Sequence, residues 1–207
     1  MKNVVIVDHL IKNQEFIVKN SENKTFLIFL TDLKNQQGDL KISIKGKKAN
    51  VQILGIIIGS GDQQIKLYTF QDHKAPESTS DLFIKSVLFD KSRFHYEGLI
   101  KIEKGAQKSN AYQKNQNLLL SDKAWAESKP YLEILANDVR CTHGATIGQI
   151  DREQLYYLST RGLTEKEASK LLITGFCQDI LDRLPDEKLK ASLMKKIETK
   201  INLLLSN

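Results

Sequence analysis

Two neighbouring residues in this chain have the chemistry of metal ligands. Cys141 and His143 lie two positions apart in RCTHGATIGQ, residues 140–149. If that stretch is a strand, the spacing puts the thiol and the imidazole on one face. Glycines and a helix start follow directly. The pair therefore reads either as a metal or thiol site or as two structural residues in a sheet, and spacing alone leaves both open.

The other reactive residue types offer less. Cys177 stands beside Phe176 on or near a helical apolar stripe and reads as core. His73, in DHKAP before Pro76, reads as solvated or locally hydrogen-bonded. His9 and His95 read as structural, because the alternation in FHYEG turns His95 away from Phe94 and Tyr96. Glu97 and Glu103 find no second carboxylate at a spacing that suggests hydrolysis. No G-x-x-x-x-G-K-[ST] occurs, so the chain is not expected to bind nucleotide through a P-loop.

Composition bounds the setting. The chain has 207 residues, 41% hydrophobic and 27% charged, enough to bury a core. Its formal charge is +6, but no basic cluster or aromatic-interleaved basic stripe appears, so nucleic acid is not an expected partner. The two cysteines have no paired spacing, which points to reduced cytosolic thiols. The first apolar run is broken by Asp8 and His9, too short for a signal peptide. No apolar run approaches the ~18 residues of a membrane helix. A cytoplasmic protein with no membrane partner is expected.

Two halves must position these residues. Before residue 150, short β-type runs dominate: Val4–Val7, Thr25–Leu30, Leu40–Ile44, Val51–Ile58, Ile65–Phe70, Leu82–Phe89, Phe94–Ile102 and Tyr131–Leu135. Turn signals from Gly46 to Asn137 recur about 14 to 17 residues apart, as in a sandwich, a barrel or a β-helix. VQILGIII and LFIKSVLF are apolar on nearly both faces, and SNAYQKNQNLLL is rich in Asn and Gln that can stack between coils. These patterns leave a β-helix and a sandwich equally open. After residue 150, Asp151 with Gln154 and Thr164 with Glu167 read as capping boxes. One helix carries Ala168, Leu171, Leu172, Gly175, Phe176 and Ile180 on a stripe, and another carries Leu189, Leu193, Ile197, Ile201 and Leu205. Three helices cannot cover their own apolar faces and must pack on the β half or on a partner.

From about Asp72 to about Leu184, the chain closely resembles the SufB/SufD family of iron–sulfur cluster assembly proteins. NLLLSD, KPYLEI, CTHGATIGQ and LYYLSTRGL carry the resemblance. His143-Gly144-Ala145-Thr146 stands where the SufB type reads His-Glu-Ala-Thr, so the SufD branch is the nearer one. The resemblance implies a mainly β fold, a right-handed parallel β-helix over residues 1–150, and a small helical domain over 151–207. It implies a non-catalytic scaffold that supports iron acquisition, with a SufB-like subunit or a second copy of itself as one partner. A SufC-like ATPase, docked on the helical domain, is the other. Cys141 and His143 would then hold a transient iron–sulfur cluster at the dimer interface, completed by the partner chain. Tyr156, Tyr157 and Arg161 would contact the ATPase, being residue types enriched at binding hot spots. The alternative is a shortened homologue that dimerises and binds the ATPase without cluster chemistry. Family members are about twice as long, so residues 1–71 leave room for a truncated β-helix whose first coil needs a cap. Ser86 replaces the glycine of the family's usual Lys-Gly pair.

Overall fold

The computed structural model describes residues 3–32 and 34–206. Met1, Lys2, Leu33 and Asn207, which fall within the two expected stretches, lie outside the described residues. The β half runs β1 (Val4–Val7), β2 (Gln14–Val18), β3 (Asn23–Leu30), β4 (Gln36–Ile44), β5 (Asn50–Gly59), β6 (Gln64–His73), β7 (Thr79–Leu88), β8 (Arg93–Ile102), β9 (Asn110–Leu119), β10 (Trp125–Ile134) and β11 (Arg140–Gln149). Helices α1 (Arg152–Thr160), α2 (Glu165–Leu181) and α3 (Glu187–Leu204) follow.

The strands alternate between two parallel sheets. The odd-numbered strands stack in order β1-β3-β5-β7-β9-β11, and the even-numbered ones in order β2-β4-β6-β8-β10. Each coil contributes one strand to each sheet, giving a parallel β-solenoid. Thr79 pairs with Asn50 29 residues earlier, and with Asn110 31 residues later. The turn spacing in the sequence is therefore half a coil. A corner without glycine recurs from coil to coil at Ser21, Lys48, Glu77 and Lys108, with φ from 55° to 61°. Each of these left-handed residues donates its backbone N–H to the next coil, as Glu77 does to Gln107 at 2.9 Å. Those bonds offset the steric cost of a side chain in that region.

The two sheets have different surroundings, and this explains their sequences. In the odd sheet, Phe26, Ile53 and Leu82 face inward, while Leu27, Leu54, Ile56, Phe83 and Val87 face outward and are still buried. Ile173, Cys177 and Ile180 of α2 and Leu193, Ile197 and Ile201 of α3 cover that outer side. VQILGIII and LFIKSVLF are apolar on both faces for this reason. The even sheet keeps its outer face in water, so β8 alternates strictly between buried and less buried positions. Each core aliphatic side chain taken fully from water contributes roughly 1.5–3 kcal/mol.

The helices depart from the expected stripe in one respect. The buried positions of α2 are Ala168, Ile173, Cys177, Ile180 and Leu181, whereas Leu171 and Gly175 of the expected stripe are exposed. The helix rotates because Lys85, only 5% exposed, fixes it from the sheet. Lys85 Nζ donates to the Phe176 carbonyl at 2.9 Å and to Asp179 Oδ2 at 2.8 Å. Its ammonium also lies 4.4 Å from the Phe176 ring. Thr164 and Glu167 form the predicted reciprocal box at the start of α2. Asp151 caps α1 through the Glu153 N–H rather than by a box with Gln154. α2 and α3 share one apolar cluster with the odd sheet.

Three strands lie outside the β-type runs: β2, β9 and β11, the last being the stretch whose strand character the Cys-His spacing left conditional. β2 is five residues long, and β9 places Gln113, Asn115 and Asn117 at buried inward positions where an apolar pattern would put aliphatics. These amides bind one another within β9 and also reach neighbouring coils. Asn117 accepts from Ser86 Oγ at 2.7 Å and donates to Asn115 Oδ1 at 2.8 Å and to the Thr146 carbonyl at 3.1 Å. Ser86 thus anchors a polar rung from the usual glycine position of the Lys-Gly pair.

Candidate functional site

β10 and β11 end the stack. Each pairs on one side only, with β8 and β9, and each leaves ten residues of backbone edge unpaired by another strand. Register carries the inward face of the coil below onto this last one. Ala111, Gln113, Asn115 and Asn117 stand beside Cys141, His143, Ala145 and Ile147, and Ile100 and Ile102 stand beside Leu132 and Ile134. The lower members of these pairs are buried. The upper ones face the open end: Leu132, Ile134 and Ile147 are 37%, 40% and 48% exposed.

Cys141 and His143 share this inward face, as their spacing predicts. Cys141 is half-buried against a small cluster of Ile100, Ile102, Ala106, Ala111 and Ala136. That burial pushes its thiol pKa above the usual cysteine range, so the proton must be displaced for the sulfur to act as a ligand. His143 is exposed. Among the described residues, no three His, Cys, Asp or Glu side chains are grouped to hold a metal ion.

The remaining candidates fall elsewhere. Cys177 is wholly buried between α2 and the odd sheet, its thiol pushed up to about 12 by burial. His73 is locally hydrogen-bonded but not solvated: it lies inside the coil, 2.7 Å from both Ser78 Oγ and Ser80 Oγ. Burial pushes its pKa down to about 4. His95 projects from the outer face of the even sheet, its two ring nitrogens 2.6 Å from Glu127 Oε2 and 2.7 Å from Glu97 Oε1.

On α1, Tyr156 is 73% and Tyr157 57% exposed, and no residue of the helix is fully buried. Arg161 lies over the Tyr157 ring at 5.2 Å and reaches its hydroxyl at 3.3 Å. Leu155 and Leu158 are the partly covered residues of this helix, so the tyrosines are not its docking contacts. Leu132, Ile134 and Ile147 could not be singled out from the sequence, because an alternating strand reads the same in the middle of a stack and at its end.

Stacked coils with helices along one side and an open last rung define a parallel β-solenoid. The chain belongs to the family described as SUF system FeS cluster assembly, SufBD core domain, which matches residues 9–176. It is SufD-like: it is 32% identical over 154 residues to the iron–sulfur cluster assembly protein SufD of Escherichia coli, covering 74% of this chain and 36% of that protein. To SufD of Bacillus subtilis it is 36% identical over 146 residues, covering 70% of this chain and 33% of that protein. A SufBD family protein of Synechocystis is 32% identical over 155 residues, covering 75% and 34%. The chain spans about a third of the length of these relatives. The family match begins well upstream of Asp72, in coils whose apolar pattern carries few distinctive polar motifs. No helix among the described residues is long and apolar enough to cross a membrane.

Proposed function

We propose that this chain is a scaffold component of iron–sulfur cluster assembly, a non-catalytic SufD-like subunit whose open rung is closed by a SufB-type chain or a second copy of itself. The carrying observation is the pair of unpaired edges at β10 and β11, with Cys141 and His143 side by side on the uncovered inward face. Thiolate and neutral imidazole both suit iron, and a second chain over the rung would add donors and shield the cargo from oxygen and water. The nascent cluster is cargo here, held between chains and released when they part. The helical stretch 151–207 would receive the SufC-type ATPase through Tyr156, Tyr157 and Arg161, where exposed aromatics and an Arg offer a hot spot.

Anaerobic reconstitution with iron and sulfide in the presence of the SufB-type and SufC-type partners tests this. Cys141→Ser with His143→Ala is expected to cut the iron retained by the assembly at least tenfold, with subunit association unchanged. Equal iron in wild type and variant would reduce the chain to a dimerising adaptor without cluster chemistry.

A further inference from the structure

The outer face of the odd sheet is apolar under α2 and α3 but ends in a basic lip. Strands β9 and β11 place Lys114 and Arg140 on that face, and neither strand contains Asp or Glu. Three cations crowd one aromatic ring behind that lip. Lys85 Nζ and Lys114 Nζ each lie 5.0 Å from the Phe83 centroid, and the Arg183 guanidinium lies 4.5 Å from it. Two carboxylates answer them: Asp179 takes Lys85 at 2.8 Å, and Asp81 takes Arg183 at 3.2 Å. Lys114 makes no ion pair or hydrogen bond within contact distance among the described residues; it lies over the Phe83 ring and shares the field of Asp179, which Lys85 already holds.

The surroundings leave room for a missing anion. Phe83, Lys114 and Gly144 form one row across the sheet. A Cβ on Gly144 would meet no atom within 4 Å, so the space over β11 in this row is empty. A cleft of about 370 Å³ lies there, with Tyr112, Thr142, Lys114 and the Asp81–Arg183 ion pair in its lining. A further strand on the β11 edge would run about 4.8 Å beyond it. Its outward residue in this row would stand beside Gly144, within reach of the Lys114 ammonium.

We propose that this cleft is a carboxylate socket, in which Lys114 receives an Asp or Glu from a strand of a different chain that extends the odd sheet past β11. The proposal rests on the reading that β11 is a partnered edge, and adds the chemistry of the partner. Covering Lys114 with a neutral strand would desolvate a charge that Asp179 offsets only in part, since three cations share two carboxylates here, whereas a further carboxylate compensates it. Two copies joined β11 to β11 supply no such group, because neither β9 nor β11 has one.

The test uses the SufB-type subunit as probe and measures Kd by calorimetry at 0.15 M salt. Lys114→Glu is expected to raise Kd at least tenfold by repelling the carboxylate. Gly144→Glu is expected to do the same by filling the socket from within the chain. Lys114 is exposed and Gly144 faces open space, so unchanged melting temperatures should show that both variants fold. Wild-type association with both variants binding equally well overturns the socket and leaves the assembly reading standing. Self-association of the wild type that Lys114→Glu abolishes also overturns it, since a second copy would then be the occupant. No association by the wild type overturns the socket and the partnered edge together.

Discussion

The early and late coils of this solenoid share one backbone plan and differ inside. In the coils of β3 to β5 the interior is aliphatic and aromatic, with Phe26, Ile28, Leu40, Ile42, Val51, Ile53 and Ile57 all buried. In the coils of β6 to β9 the inward positions include Thr69, Gln71, His73, Ser80, Ser86, Gln113, Asn115 and Asn117, also buried. Apolar burial is non-directional and tolerates small shifts of one coil on the next. Hydrogen-bonded side chains do not: Ser86 to Asn117 at 2.7 Å and Thr69 to the Tyr96 hydroxyl at 2.8 Å hold only in one register. Gly98 belongs to the same arrangement, since a Cβ there would come within 2.3 Å of the Tyr96 hydroxyl oxygen. The early coils thus supply cohesion, and the late coils fix the rung on which Cys141 and His143 stand.

Substitutions can break this contrast in order of size. Phe26→Ala in the early interior should destabilise by about 3–5 kcal/mol, because a closed apolar site collapses poorly around the void. Chemical denaturation with an unchanged m-value would confirm it, and a loss under 1 kcal/mol would mean that the early coils are not the cohesive part.

Acid should act on the late interior. His73 has its folded pKa pushed by burial down to about 4, below the ordinary 6.5, so the unfolded chain takes up the proton first. The stability this neutral ring contributes is complete above pH 6.5 and is lost as pH falls toward 4, about 3 kcal/mol in all. The unfolding free energy of wild type should drop more steeply across that window than that of His73→Gln. Parallel curves would remove His73 from the account.

Asn117→Ala should cost about 1–3 kcal/mol by stranding Ser86 and the Asn115 carbonyl oxygen. It should also raise amide exchange in β11 through loss of the bond to the Thr146 carbonyl, while exchange in β3 and β5 stays unchanged. Uniform loosening of all coils would show that the two halves are one cooperative unit with no division of roles.

Much of this was legible in the residues themselves. The alternation in FHYEG set the facing of His95, and VQILGIII and LFIKSVLF showed strands apolar on nearly both faces, though those patterns left a β-helix and a sandwich equally open. CTHGATIGQ with LYYLSTRGL carried the family, and the two-residue step placed Cys141 and His143 on one face. β9 was missed as a strand because its buried positions are amides, which resemble a loop until Ser86, Ile84 and Gly98 of the coil below provide their partners. Leu171 was assigned to the wrong side of α2 because a helical stripe is ambiguous by one position until a buried contact such as Lys85 fixes the rotation.

Local periodicity by itself therefore determined strands, helices and the shared face of the Cys-His pair, because side-chain direction follows from backbone repeat alone. Only the tertiary structure decided that the pair lies on the last rung, that His73 is sealed inside, and that Lys114 joins Lys85 and Arg183 around one ring with two carboxylates between them. Those are facts about which coil is above or below another, and a residue's own neighbours in the chain do not contain that information.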